Sequence, residues 1–113
     1  MNLMLPVGVR IFVANEPTDL RHSFDTLAVL ARSVVKQDPM SGHLFVFHNK
    51  AGNRVKILFW DRTGWVLWYK RMERGLFRFP ERDEAALEVD PTQLRLLLDG
   101  IPLGPRIRRA RHA

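Results

Sequence analysis

Three β-strand-like runs follow one another between residues 41 and 80, and short loops rich in turn residues separate them. The runs cover residues 43–48, 54–60 and 65–72, and the two loops read NKAGN and DRTG. Loops of this length and composition are typical of hairpins between neighbouring antiparallel strands. The sequence therefore predicts an antiparallel β-meander, which any fold of this chain must contain.

A further strand and a long helix are predicted before the meander. Residues 9–14 (VRIFVA) form a β-rich run whose alternate side chains lie on opposite faces. Over residues 19–37, apolar side chains recur every three or four positions, which is the spacing of an amphipathic helix. Thr18 or Asp19 is the predicted N-cap, and the helix is expected to run for about four turns.

The residues after the meander predict an edge strand, a loop and a short helix. Residues 76–80 (LFRFP) are expected to form a short edge strand that ends at its proline. The acidic residues 81–90 are expected to form a loop. Asp90 and Pro91 then supply an N-cap and a first helical position, and Gly100 supplies a C-terminal cap for a short leucine-rich helix.

These elements predict a single α+β domain over residues 1–104. It would contain an antiparallel β-meander of four to five strands, one long helix packed on one face and a short C-terminal helix. A chain of 113 residues is long enough to bury one such core. Residues 105–113 are basic and have no periodic apolar stripe, so we expect a disordered tail there.

The cysteine count and the apolar runs bear on the expected compartment. The chain has no cysteine, which removes disulfide frameworks and thiolate metal sites and fits a reducing compartment. Its apolar runs are far shorter than a membrane span, and its first residues lack the pattern of a signal peptide. We therefore expect a cytoplasmic protein that does not bind membranes.

Aromatic and cationic side chains are concentrated in the same part of the chain. Residues 41–80 hold all three Trp, the only Tyr and five of the seven Phe, interleaved with Lys and Arg, and the whole chain carries a formal charge of +6. Flat aromatic faces beside cations suit stacking on bases and neutralisation of phosphates. The candidate nucleic-acid-binding residues are Arg54, Lys56, Trp60, Trp68, Lys70 and Arg71 in the sheet and Arg106, Arg108 and Arg109 in the tail.

Two plainer interpretations stay open. The aromatic residues can fill the core while the cations form a solvated edge, and the arginine tail can serve solubility alone. A sheet with apolar residues on both faces must nevertheless be covered on both sides. Because two short helices are not expected to cover both, the sequence predicts one uncovered face that receives a partner, although period-two alternation does not label which face that is.

No catalytic arrangement emerges from the titratable residues. The aspartates are dispersed through turns and helix starts, where carboxylates serve as caps, and no glycine-rich phosphate loop is present. A metal site built from His43, His48 and Asp61 is geometrically possible, but nothing forces these side chains to converge. We therefore expect no enzymatic activity, no bound metal and no cofactor.

Several ordered blocks of the chain resemble a known family. The blocks are TDLR and FDTL in the predicted long helix, DPMSGHLFVF leading into the sheet, and RVKILFWDRTGWVLWYKRMERGLFRFP through the hairpins. With these blocks, residues 9–101 are similar to the small accessory protein (TnpB, Orf2-like) of bacterial insertion sequences of the IS66 type. The residues beyond Gly104 lie outside the resemblance.

The resemblance implies a role in DNA transposition beside a separate transposase that cleaves and joins the strands. It brings no catalytic residues with it. We expect a non-catalytic accessory protein that binds DNA, at transposon ends or without sequence preference, through its basic aromatic sheet. The alternative is an interaction module that docks on the transposase without contacting DNA, and the chain is also a candidate homo-oligomer.

Overall fold

Five strands and two helices make up the computed structural model, which describes Leu5, residues 7–80 and residues 83–103. In chain order they are β1 (Ile11–Ala14), α1 (Phe24–Leu30, continued by a π-helical turn over Ala31–Val35), β2 (Leu44–His48), β3 (Arg54–Trp60), β4 (Trp65–Arg71), β5 (Ala86–Val89) and α2 (Pro91–Leu98). The strands form one sheet in the order β4-β3-β2-β1-β5.

The α+β class and the meander are confirmed, but the sheet is mixed and not purely antiparallel. β2, β3 and β4 pair antiparallel, as the hairpin loops predict. β1 instead pairs parallel with β2, with Ile11 opposite Leu44, and antiparallel with β5. Parallel neighbours need a long crossover, which α1 provides between β1 and β2. The expectation of antiparallel pairing throughout was wrong because it ignored this helical connection.

The fifth strand lies where a loop was predicted. β5 comes from the acidic segment, and its Leu87 and Val89 are buried while Glu88 lies on the other side opposite Phe12. The ion pair of Glu88 with Arg10, at 2.6 Å, neutralises the acidic side chain within the strand. Burial of Leu87 and Val89 can then stabilise a strand in this acidic segment. Residues 76–80, predicted as an edge strand, have no regular secondary structure.

The long helix is shorter than predicted and begins later. Its seven α-helical and five π-helical residues start after Ser23, not after Thr18 or Asp19. The Asp19 carboxylate accepts from the backbone N–H and the guanidinium of Arg21, at 3.0 and 2.6 Å, and so closes a local turn. Such side chain to backbone bonds compete with helix formation. At the other end, Lys36 adopts a left-handed conformation with φ of 65°.

The C-terminal helix is confirmed with its caps. The Asp90 carboxylate accepts from Gln93 N at 2.7 Å, and Gln93 Oε1 accepts from Asp90 N at 2.8 Å, which is a capping box. Gly100 follows the helix with φ of 74°, and Ile101 N donates to Leu96 O at 2.9 Å. A Cβ on Gly100 would lie 3.2 Å from the backbone oxygen of Leu76, so this close approach and the positive φ both favour glycine there.

Each face of the sheet is covered by one helix. On the α2 face, Leu94 and Leu97 pack against Ile57 and its neighbours. On the α1 face, Leu27 and Ala31 pack against Phe45, Leu58 and their neighbours. The cover on both faces is complete at the central strands β1 and β2, whose residues are all buried, whereas β4 at one edge keeps half-buried and exposed side chains. The expectation of one uncovered face was therefore wrong.

The predicted basic tail, including Arg106, Arg108 and Arg109, lies outside the described residues. Among the described residues, no helix has the length and apolar character needed to cross a membrane.

Candidate functional site

The predicted binding residues of the sheet lie on two opposite faces. The register pairs Arg54 with Arg71 and Trp60 with Trp65, and these side chains share the α1 face with Lys56 and Tyr69. Trp68 and Lys70 alternate with them and lie on the α2 face. Period-two alternation already separates Lys70 from its neighbour Arg71. The six sheet residues therefore do not form one surface.

The two residues on the α2 face hold the C-terminal helix. The Lys70 ammonium donates to the carbonyl of Leu98, the last residue of α2, at 2.6 Å. The last carbonyls of a helix have no partner within it and carry partial negative charge, so a cation there is favourable. Trp68 is half-buried against the core beneath α2. Both side chains therefore have an internal role.

Lys56 has an internal role on the α1 face. Only 8% of the residue is exposed, and its ammonium donates to the backbone carbonyl of His22 at 3.0 Å. It also lies 5.0 Å from the centre of the Tyr69 ring. Lys56 thus fixes the segment before α1 to the sheet, since a buried ammonium needs such partners.

Trp60 lies at the far end of the same face. Its ring meets Trp65 edge to face at 5.0 Å beside the β3 to β4 turn. Trp60 is six positions along β3 from Arg54, which corresponds to about 20 Å along an extended strand. Trp60 therefore does not share a contact surface with the arginines.

Arg54 and Arg71 form a like-charged pair directly across two strands. Met72 N donates to Asn53 O at 2.8 Å, so the adjacent pair of Arg54 and Arg71 is of the non-hydrogen-bonded type. In such pairs the Cα atoms are about 4.5 Å apart and the side chains are close. Like charges in this position destabilise a sheet. An anion bound between the two guanidinium groups would therefore reduce their repulsion.

The described contacts neutralise only one member of this pair. Glu73 accepts from the Arg71 guanidinium at 2.7 Å, and this hydrogen bond raises the pKa of Arg71. Arg54 instead donates to the phenol oxygen of Tyr69, which carries no charge. The positive charge of Arg54 therefore has no carboxylate beside it in the described structure.

An open groove of about 930 Å³ lies next to Arg54 and Tyr69. One wall is the segment 16–21 before α1, and the other is the β2 to β3 turn at residues 49–51. Its charged lining residues are Glu16, Asp19, Arg21, Lys50 and Arg54.

Hydrogen bonds fix both walls of the groove. Asn49 Oδ1 accepts from the backbone N–H groups of Gly52, Asn53 and Arg54 at 3.0 to 3.1 Å, which holds the turn. On the other wall, hydrogen bonds from Arg21 hold the pKa of Asp19 well below its ordinary value. Asp19 and Arg21 neutralise each other. Among the remaining charged lining residues, the single negative charge of Glu16 is outweighed by the positive charges of Lys50 and Arg54, so the groove is cationic at Arg54.

An exposed aromatic ring completes this end of the groove. Tyr69 is 48% exposed, and cations lie near its ring. A fixed ring beside guanidinium groups can stack on a planar ligand while the cations bind its anionic groups. We define Arg54, Tyr69, Arg71 and Lys50 as the cationic rim. Sequence reasoning missed Tyr69 and Lys50, although the pairing of Tyr69 with Lys56 and its position beside Arg71 follow from the hairpin register.

The histidines and Asp61 that were weighed as metal ligands have separate structural roles. His43 Nδ1 accepts from Arg10 N at 2.9 Å, and His48 Nε2 donates to Ala14 O at 3.0 Å. Asp61 accepts from the backbone of the β3 to β4 turn. Within the part of the chain that the structure describes, no group of three His, Cys, Asp or Glu residues is placed to bind a metal.

Comparison with known proteins identifies relatives over most of the chain. Residues 9–107 match the family described as IS66 Orf2 like protein, so the match extends three residues beyond Gly104, where the resemblance was expected to end. The uncharacterized protein y4hO of Sinorhizobium fredii (strain NBRC 101917 / NGR234) is 40% identical over 100 residues, which cover 87% of each chain. The uncharacterized protein y4jC of the same strain is 37% identical over 94 residues, which cover 83% of this chain and 80% of y4jC. No solved structure gives a significant match.

Proposed function

Because the chain belongs to the IS66 Orf2-like family of insertion-sequence accessory proteins, we propose that it assists transposition by binding DNA through the cationic rim. In this role it performs no chemistry itself and presents DNA to the transposase of the same element. Arg54 and Arg71 contact phosphates, and Tyr69 and Lys50 line the path beside them.

The like-charged pair of Arg54 and Arg71 is the observation that supports the proposal most. A pair of guanidinium groups directly across two strands costs stability in the free protein, and the solvent-exposed ion pair of Arg71 with Glu73 offsets this cost only in part. A phosphate between them removes that repulsion and accepts charge-assisted hydrogen bonds from both. The electrostatic energy of the pair is thus more favourable in a complex with a polyanion than in the free protein.

The surroundings of the pair support the same ligand. The groove is open, so an extended backbone can enter and leave it, and its cationic end lies at Arg54. The formal charge of +6 adds long-range attraction to DNA. Contacts to phosphates bring affinity without sequence information, so the rim supports binding and positioning on DNA and not base readout.

Fluorescence anisotropy with a labelled duplex from the element's end, and with a scrambled duplex, tests the proposal. Loss of one phosphate contact makes the slope of log affinity against log salt shallower by about 0.9. At 0.1 M salt this corresponds to about an eightfold loss of affinity. We expect a loss of this size for Arg54→Gln and for Arg71→Gln on both duplexes. Both variants should stay folded, because each removes one member of a repelling pair.

Arg95→Gln is the matched control. Arg95 is exposed on α2, on the opposite side of the sheet, and its substitution removes the same charge. It should leave the salt slope close to that of the wild type. If all three variants lose affinity equally, binding follows net charge and the rim is not the site. If the wild type binds no DNA but co-purifies with the transposase, the docking alternative replaces the proposal.

A further inference from the structure

β4 forms a long open edge of the sheet. The strand order leaves β4 and β5 at the two edges. β5 has four residues, and its Glu88 is ion-paired with Arg10, so this edge is short and charged. β4 has seven residues and no proline. Short, charged edges are protected from pairing with other strands, and long ones are not.

The register shows which backbone groups of β4 point outward. Residues in non-hydrogen-bonded pairs with β3 direct their N–H and C=O groups away from it. These residues are Trp65, Leu67, Tyr69 and Arg71, which alternate with the hydrogen-bonded positions set by the pair of Asn53 and Met72. Within the described ranges, no backbone hydrogen bond between segments reaches these outward groups.

The apolar side chains of β4 are also incompletely covered. Every residue of β2 is buried, whereas every residue of β4 is half-buried or exposed. Among them are Trp65, Leu67 and Trp68, whose rings and methyl groups lose contact with water when a further strand is added. Burial of such apolar area is the main source of association energy.

We propose that β4 is a self-association edge, at which a second copy of this chain adds its own β4 antiparallel about a two-fold axis at Trp68. Leu67 of one copy then pairs with Tyr69 of the other, and Trp65 of one copy with Arg71 of the other. This register uses all four outward-facing residues of each strand. The two sheets become one continuous sheet with the α1 helices of both copies on the same face.

The distribution of charge along β4 selects a second copy in this register. The strand begins with aromatic residues and ends with Lys70 and Arg71. Antiparallel self-pairing places the cationic end of each strand against the aromatic end of the other, where Arg71 meets the ring of Trp65. Parallel pairing in register places Arg71 of the two copies side by side, which is unfavourable. The interface is isologous, as closed dimers require.

This inference does not depend on DNA binding. Sedimentation velocity over a range of concentrations, without nucleic acid, tests it first, and we expect a dimer that dissociates on dilution. Leu67→Pro removes an outward N–H without taking a hydrogen bond from β3, so it should shift the protein to monomer. Leu67→Ala removes the same side chain but keeps the N–H, and it should still dimerise.

Cysteine cross-linking tests the register and does not depend on the proline variant folding. The chain has no cysteine, so a single introduced thiol gives an unambiguous result. In the proposed register the two copies of residue 68 face each other in a non-hydrogen-bonded pair, about 4.5 Å apart at Cα, which permits a disulfide. Trp68→Cys should therefore form a covalent dimer under mild oxidation.

Val66→Cys is the control on the same strand and the same face. In the proposed register its two copies lie about 13 Å apart, beyond the reach of a disulfide. Efficient cross-linking of Trp68→Cys alone supports the proposal. Equal cross-linking of both variants, no cross-linking of either, or a wild type that stays monomeric at all concentrations overturns it. So does a Leu67→Pro variant, folded by circular dichroism, that dimerises as the wild type does.

Discussion

At the scale of single residues, the cations of the sheet divide into those that bind the protein's own backbone and those that do not. Lys56 and Lys70 each donate to a backbone carbonyl next to a helix end. Arg54 lines the groove, and Arg71 lies directly across from it on β4. Composition treats all four as equivalent, but Arg54 has no carboxylate beside it in the described structure, and Arg71 is paired only with the exposed Glu73.

Substitution of Lys70 should therefore lower stability. Lys70→Met removes the hydrogen bond to Leu98 O and the favourable charge at the end of α2, and we expect a loss of about 1 kcal/mol in the free energy of unfolding. Urea denaturation followed by circular dichroism measures it. Lys70→Arg keeps the charge and should lose less. A Lys70→Met variant as stable as the wild type would show that the contact contributes nothing.

At the scale of elements, two histidines join the ends of the parallel pair of β1 and β2. His43 Nδ1 accepts from Arg10 N at one end, and His48 Nε2 donates to Ala14 O at the other. Burial lowers the pKa of both, and the charge of Arg10 lowers that of His43 further. The Nδ1 atom of His43 must stay unprotonated to accept its hydrogen bond.

The pH dependence of stability follows from these shifts. In the folded state the pKa values of both histidines lie below the ordinary value of about 6.5. At pH values between the folded-state pKa values and 6.5, the unfolded chain therefore binds more protons than the folded chain. Stability should be highest above pH 6.5 and should fall as the pH drops from there toward the folded-state values. Urea denaturation at pH 7.5 and 5.5 measures this change.

Two variants identify the groups responsible. His48→Gln keeps a donor and His43→Asn keeps an acceptor, and neither titrates in this range. The double variant should show a smaller loss of stability between pH 7.5 and 5.5. An equal loss in the variant and the wild type would assign the effect to other groups.

The elements also show where sequence reasoning succeeds. The hairpins and the capping box of α2 were predictable because their signals are local: turn residues between β-runs, and Asp90 before Pro91. Strand β5 was missed because its acidic residues are typical of a loop, and the sequence does not show that Glu88 is neutralised by Arg10, which is distant in the chain. The division of the predicted binding residues between the two faces was already contained in the alternation of β4, but the helix that covers each face was not.

At the scale of the whole molecule, one sheet carries two cores. Phe45 and Phe47 of β2 face α1, while Leu44 and Val46 face α2. A change in either core therefore acts on the same strands, and the domain should unfold as one cooperative unit.

Large-to-small substitutions in the two cores should have similar effects. Leu27, on the buried side of α1, is 0% exposed, and Leu97, on the buried side of α2, is 1% exposed. Each Leu→Ala variant should lose about 2–5 kcal/mol of unfolding free energy. Denaturation curves from tryptophan fluorescence and from far-ultraviolet circular dichroism should coincide for both variants. Separate transitions in either one would contradict a single cooperative unit.

The position of β1 constrains how the protein is made in the cell. Glu88 pairs with Arg10 across 78 residues of chain, and β1 lies between β2 and β5. During synthesis, β1 pairs with β2 once the crossover helix has formed, but its other edge stays open until residue 89 has left the ribosome. We therefore expect the nascent chain to keep one edge of this apolar strand unpaired until late in its synthesis, which is a state prone to aggregation.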